Sequence, residues 1–153
     1  THMIPQLRLN GRVLLQKPNG EFAPAEKQIG GINRTYSITP LTADFNNDGR
    51  PDIVNVNLNG NSKLFLSKSG QGNYLKVSLP DNIHSIGATI TAKLSDGTTL
   101  SRPYVSGEGL CSDSSRIVIL GLANASVTDV AVTYLDGQTQ QLRGDFQNQL
   151  VQF

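Results

Sequence analysis

Residues 36–66 read YSITPLTADFNNDGRPDIVNVNLNGNSKLFL, and the pattern inside this stretch decides the class of the fold. Asp52 to Leu58 sets Val54, Val56 and Leu58 at alternate positions with Asn55 and Asn57 between them and Asn59 after. An extended backbone turns such a run into one apolar and one amide face, whereas a helix would scatter the same residues round its circumference. The upstream run Tyr36 to Ala43 also reads as a strand. The nine residues that join the two runs, DFNNDGRPD, are turn formers that suit neither element, so a β-hairpin is predicted.

That joining segment carries the chemistry. Asp44, Asn46, Asp48, Gly49 and Asp52 fit D-x-[DN]-x-[DN]-G-x-x-D, in which alternate side-chain oxygens converge on one centre while glycine makes the sharp turn. Calcium, a hard cation, takes six to eight oxygen ligands at about 2.3 to 2.6 Å. Asp44, Asn46, Asp48 and Asp52 would supply carboxylate and amide oxygens, and Arg50 its backbone carbonyl. An EF-hand is excluded, since its twelfth position needs glutamate where this chain has Asn55, and it needs flanking helices. A surface turn that uses Asp, Asn and Gly for their turn geometry is the competing reading.

Working outward, the same period of two recurs with turn dipeptides at its ends. Arg12 to Lys17 runs into Pro18-Asn19-Gly20 and returns along Glu21 to Ala23, a predicted hairpin. Downstream, strands are predicted at Leu75–Leu79, Ala88–Leu94, Thr98–Tyr104, Arg116–Leu120, Val127–Tyr134 and Gln138–Leu142, with Leu150–Phe153 as a closing edge strand. Short links through Ser95-Asp96-Gly97 and Leu135-Asp136-Gly137 favour antiparallel neighbours. No segment holds helical spacing over three turns. The chain is therefore read as all-β: a small propeller-blade-like hairpin sheet carrying the loop, then an antiparallel sandwich or barrel. Val77, Ile90, Leu94, Val105, Ile117, Ile119, Val130, Val132 and Leu142 are the predicted core of the second part. The polar, glycine-rich residues 67–72 read as a linker between residues 4–66 and 73–153, and Thr1-His2-Met3 as the remnant of an expression tag.

Composition limits what such a chain can do. Its 153 residues suffice to bury a core without disulfides. Thirteen Lys and Arg against twelve Asp and Glu give a net charge of +1, so a broad basic surface for nucleic acid or anionic lipid is not expected. Aromatic residues are only 6%, which argues against a base-stacking platform. No apolar run approaches the ~20 residues of a membrane-spanning helix, and membrane insertion is not expected.

The motifs taken together resemble a known architecture. The 36–66 run, preceded by NGRVLLQKPNGEF, resembles an FG-GAP or VCBS-type repeat, the calcium-loop hairpin unit of integrin-like β-propellers. The downstream part of the chain resembles the ASPIC/UnbV domain found after such repeats in cartilage acidic protein and its bacterial relatives. This second resemblance rests on Asn73-Tyr74-Leu75 with Val77, Ile86-Gly87-Ala88, Ser106-Gly107-Glu108-Gly109, Leu120-Gly121-Leu122 and Asp136-Gly137-Gln138. Two positions depart from that pattern: Tyr134-Leu135 stands where the family has Trp-Pro, and Ala123 where it has glycine. About one repeat cannot close a propeller ring, so either the chain is the terminal piece of a larger protein, with upstream blades and a signal segment expected outside this sequence, or the repeat packs directly on the second half. The resemblance implies a calcium-binding, noncatalytic module of a secreted or cell-surface protein, used in adhesion or in binding a protein or glycan partner. A purely structural cap at the C-terminal end of a propeller is the alternative, and a hydrolase accessory domain a distant third.

No catalytic constellation competes with this reading. Cys111 with His84 has no nucleophile motif around it, Ser112-Asp113-Ser114-Ser115 has none either, and Glu21, Glu26 and Glu108 are not paired with aspartates as in glycosidases. Gly30-Gly31 and Gly70-Gln71-Gly72 do not lead a strand into a helix, so phosphate cradling is not indicated. Asn33-Arg34-Thr35 and Asn124-Ala125-Ser126 are sequons of the shortest kind, and the amide face with Asn61 reads as a solvated sheet face or a hydrogen-bonding platform.

Overall fold

The computed structural model describes residues 13–25, 37–58, 60–68, 70, 72–109 and 112–153. The readings placed on the tag residues 1–3, Glu26, Gly30-Gly31, the Asn33 sequon, Tyr36, Asn59, Gln71 and Cys111 fall outside the described residues.

Strand formers and turn dipeptides make the described chain all-β, with twelve strands and no helix among the described residues. In the first part, β1 (Leu14–Gln16) and β2 (Phe22–Pro24) pair as a hairpin. Beyond it β3 (Ser37–Ala43), β4 (Asp52–Asn57) and β5 (Lys63–Phe65) form an antiparallel sheet in that order. The register pairs Ala43 with Asp52, so the segment 44–51 is the hairpin loop that the sequence predicts.

The second part is a sandwich of two sheets. β6 (Asn73–Ser78), β9 (Ile117–Ala123) and β12 (Gln149–Gln152) form one, in the order β12-β6-β9. β7 (Thr89–Leu94), β8 (Thr99–Pro103), β10 (Val127–Thr133) and β11 (Thr139–Phe146) form the other, in the order β11-β10-β7-β8. Leu75, Val77, Leu120 and Leu122 from the first sheet meet Ile90, Ala92, Leu94, Val127, Val130 and Val132 from the second in one core cluster. A bulge between Val127 and Asp129 lets Val127 and Val130, three residues apart, both face inward.

One turn device is used three times. At Lys17–Glu21, Leu94–Thr98 and Tyr134–Gln138 the first carbonyl accepts the glycine N–H and the first N–H donates to the last carbonyl. The glycines, Gly20, Gly97 and Gly137, hold φ of 85°, 87° and 85°, a left-handed conformation that costs glycine least. The preceding Asn19, Asp96 or Asp136 accepts the N–H two residues on through its side chain. An Asn-Gly or Asp-Gly pair thereby fixes both the turn and the register of its strands.

The predicted core needs correction at three places. Val77, Ile90, Leu94, Val130 and Val132 are buried, and Ile119 is half-buried, but Val105, Ile117 and Leu142 are exposed. From Ile117 to Leu120 the predicted strand has no polar residue to mark its phase. The strand continues through Gly121 and Leu122, and Leu120 and Leu122 are the residues that enter the core. Tyr104 takes the inward place after β8, held by its N–H to the Ala88 carbonyl at 2.7 Å, so Val105 turns outward. Leu142 lies on β11, an edge strand. The closing strand also pairs differently from its neighbours: β12 runs parallel to β6. Gln147-Asn148 carries the chain from one sheet to the other, so β12 meets a strand distant in sequence rather than β11.

Almost no apolar core lies in the first part. Ala25 is its one buried hydrophobic residue among those described, while Leu14, Leu15, Phe22, Ile38, Leu58, Leu64 and Leu66 are exposed.

Candidate metal centre

The loop between β3 and β4 is shaped by its own side chains. Asn46 Oδ1 accepts the Asp48 N–H (3.2 Å) and Asp48 Oδ1 the Arg50 N–H (3.0 Å), two successive side-chain turns. Asp44 accepts the N–H groups of Asp48 on Oδ1 (3.0 Å) and Gly49 on Oδ2 (2.8 Å), so the chain wraps round this carboxylate. Asn47 and Gly49 adopt φ of 58° and 84°, which lets the loop curl this tightly. Asp52, almost wholly buried, accepts the Phe45 N–H (2.9 Å) and the Ser67 N–H (2.7 Å) on its two oxygens.

Two cations reach the same carboxylates. Arg50 pairs with Asp48 Oδ2 at 2.5 Å, and its guanidinium also donates to the carbonyls of Ser67 and Gly70. The predicted linker is thus tied to the loop at these two residues. The second cation comes from the sandwich: Lys76 Nζ lies 2.5 Å from Asp44 Oδ2, with side chains only 11% and 4% exposed. Lys76 also donates to Asn47 Oδ1 at 3.4 Å, and its ammonium lies 5.6 Å from the centre of the Tyr74 ring. Strand alternation explains its direction. Leu75 and Val77 enter the core, so Tyr74 and Lys76 project from the other face of β6 onto the loop.

The pKa directions reflect these contacts. Burial alone raises the Asp44 pKa, but the Lys76 ammonium and the Gly49 and Asp48 N–H groups outweigh it and hold the carboxyl below its ordinary value. Asp48 is likewise lowered: desolvation, the largest single effect, raises it, but Asn46 and the backbone and guanidinium of Arg50 together overcome it. Both groups are ionised at neutral pH.

Around the ion pair the two parts of the chain touch closely. A Cβ at Gly49 would fall 2.0 Å from Tyr74 Cδ1, so only glycine admits the ring at that distance. Thr39 and Ser112 hydroxyls lie 2.8 Å apart, and the Ser115 N–H donates to the Thr42 carbonyl at 2.9 Å along the free edge of β3. Gly109 packs in the same seam, where a Cβ would meet Ser112 and Thr39 oxygens. Ser106 and Gly107 are held by Asp113, which accepts the Ser106 hydroxyl and the Gly107 N–H.

The predicted ligands Asp44, Asn46, Asp48 and Arg50 lie on the loop, and Asp52 is the first residue of β4. The donor set is of hard oxygens, and the ammonium of Lys76 stands on Asp44 as a stand-in cation, so the residues fit a hard cation in kind. Their oxygens here accept N–H groups, and among the described residues no group of three or more His, Cys, Asp and Glu is gathered closely enough to hold a metal ion. Lys76 and Tyr74 were missed by sequence reasoning. Their signal was a lysine at an outward position of a strand whose alternate residues are core. His84 is exposed on the turn after β6, and among the described residues nothing pairs it with a nucleophile.

Known protein families match both parts of the chain. The family model described as ASPIC and UnbV matches residues 79–153, and that of the FG-GAP-like repeat matches residues 8–55. The first match begins just after β6, which the structure nevertheless places inside the sandwich. A search of curated proteins returns no match.

Proposed function

This chain is an FG-GAP-like repeat followed by an ASPIC/UnbV domain, and from that premise we propose that it is a calcium-binding, noncatalytic module of an extracellular or cell-surface protein that engages a protein or glycan partner. FG-GAP repeats occur in extracellular or cell-surface proteins, and both kinds of domain are generally noncatalytic. Among the described residues no helix is long and apolar enough to cross a membrane.

The observation that carries the calcium reading is the loop wrapped round Asp44, with a cation already on that carboxylate. Asp44, Asn46, Asp48 and Asp52 would hold the ion through side-chain oxygens and Arg50 through its carbonyl. The ion supplies charge neutralisation; the chain's own residues close the hairpin. Millimolar extracellular calcium suits a loop of modest affinity. Calorimetry is expected to detect calcium binding at millimolar concentration. The double variant Asp44→Ala, Asp48→Ala is expected to abolish it and to lower the thermal midpoint in calcium. Absence of binding by the wild type would contradict the reading.

A second reading, a structural cap on the end of a propeller, is favoured by a different observation. The 112–115 segment of the sandwich covers the free edge of β3 through Ser115 and Thr42. At Thr42, where both backbone groups are taken in this way, the edge cannot pair with a further strand. A glycan array and a pull-down with the full-length protein separate the two: a partner captured by the module supports recognition, and none supports the cap.

A further inference from the structure

Two carboxylates of the loop each meet a side-chain cation, Asp48 that of Arg50 and Asp44 that of Lys76. Arg50 belongs to the loop, is about a third exposed, and ties the loop to the carbonyls of Ser67 and Gly70 rather than to the sandwich. Lys76 belongs to the sandwich, is nearly buried, and is fixed by Asp44, Asn47 and the Tyr74 ring together. Among the described residues Lys76 is the sandwich cation that connects the charge state of the loop to the packing of one part of the chain on the other.

Resting on the calcium reading above, we infer that Lys76 is a tethered cation that competes with calcium for Asp44, so that loading the loop loosens the hold of the sandwich on the repeat. An ion bound through Asp44 would bring two positive charges beside an ammonium already on the same carboxylate. Solvent screens such repulsion poorly where both side chains are buried. The ammonium must then withdraw, and with it goes the contact that seats Tyr74 and Lys76 on the loop. What remains of the described polar seam is Thr39 with Ser112 and Thr42 with Ser114 and Ser115. Linkage makes the effect mutual: docking lowers calcium affinity by the factor by which calcium weakens docking.

The test is a calcium titration of the full chain by calorimetry, comparing wild type with Lys76→Met and Lys76→Arg. Lys76→Met is expected to bind calcium at least tenfold more tightly, and Lys76→Arg, which keeps the charge, to stay near the wild type. A purely structural role for Lys76 predicts no gain in affinity. Equal affinity in wild type and Lys76→Met, or an equal gain in Lys76→Arg, overturns the competition and leaves calcium binding standing. No binding by any of the three at millimolar calcium overturns both readings. If Lys76→Met does not fold, hydrogen exchange on the wild type decides: the Ser115 amide is expected to lose protection several-fold at saturating calcium, and unchanged protection overturns the inference.

Discussion

Ala123 shows how a single position carries both family pattern and strain. Its φ is 52°, in the left-handed region where a Cβ crowds the following carbonyl, and it is the position where the resembled family has glycine. Ala123→Gly removes that crowding, and part of the gain is returned as extra freedom in the unfolded chain. The net expectation is a rise in stability of about 0.5 to 1 kcal/mol, measured by urea unfolding; a loss would show that the backbone there is not strained. Asp96 is the second residue with a defined consequence. The Thr98 N–H on its carboxylate lowers its pKa below the model-compound value of 3.8. The carboxylate's contribution to the turn is therefore complete above that value and is lost as pH falls through the lower folded pKa. A carbon-detected NMR titration is expected to place the Asp96 midpoint below 3.8; a midpoint at or above it would contradict the hydrogen bond.

Among the elements, β9 is where the pattern of the sequence and the packing part company. Ile117, Val118, Ile119 and Leu120 are all apolar, so no polar residue says which alternate set points inward. The sheet pairing of β6 with β9 settles it in favour of Leu120, 2% exposed, and leaves Ile117 at 37%. Leu120→Ala is expected to cost about 2 to 4 kcal/mol by removing a filled core volume, and Ile117→Ala less than about 1 kcal/mol. Equal costs in chemical denaturation would mean that the strand sits in the other phase. The elements around Asp-Gly and Asn-Gly were legible because each such turn satisfies its own backbone locally, without help from the rest of the chain.

At the level of the whole molecule the two parts differ in what holds them. The sandwich closes a continuous core between its sheets, whereas the repeat buries Ala25 as its one hydrophobic core residue among those described. Its strands rest on the loop's hydrogen bonds and on the seam with the sandwich. Residues 4–66 expressed alone are therefore expected to lack dispersed amide signals by NMR even in calcium; a well-folded monomer would contradict this.

Sequence alone determined the all-β class, the hairpins, the oxygen-rich loop and the order of its two parts, because alternation, turn dipeptides and ligand spacing act within a few residues of one another. It placed Asp44, Asn46, Asp48, Arg50 and Asp52 within one turn segment for the same reason. Tertiary structure decided the rest. The phase of β9, the parallel pairing of β12 with β6 and the burial of Lys76 on Asp44 join residues tens of positions apart. A local pattern cannot encode those choices, because a strand's partner and the group facing its outer side depend on how whole sheets stack, and the cost of burying a charge is settled only when an opposite charge arrives from elsewhere in the chain.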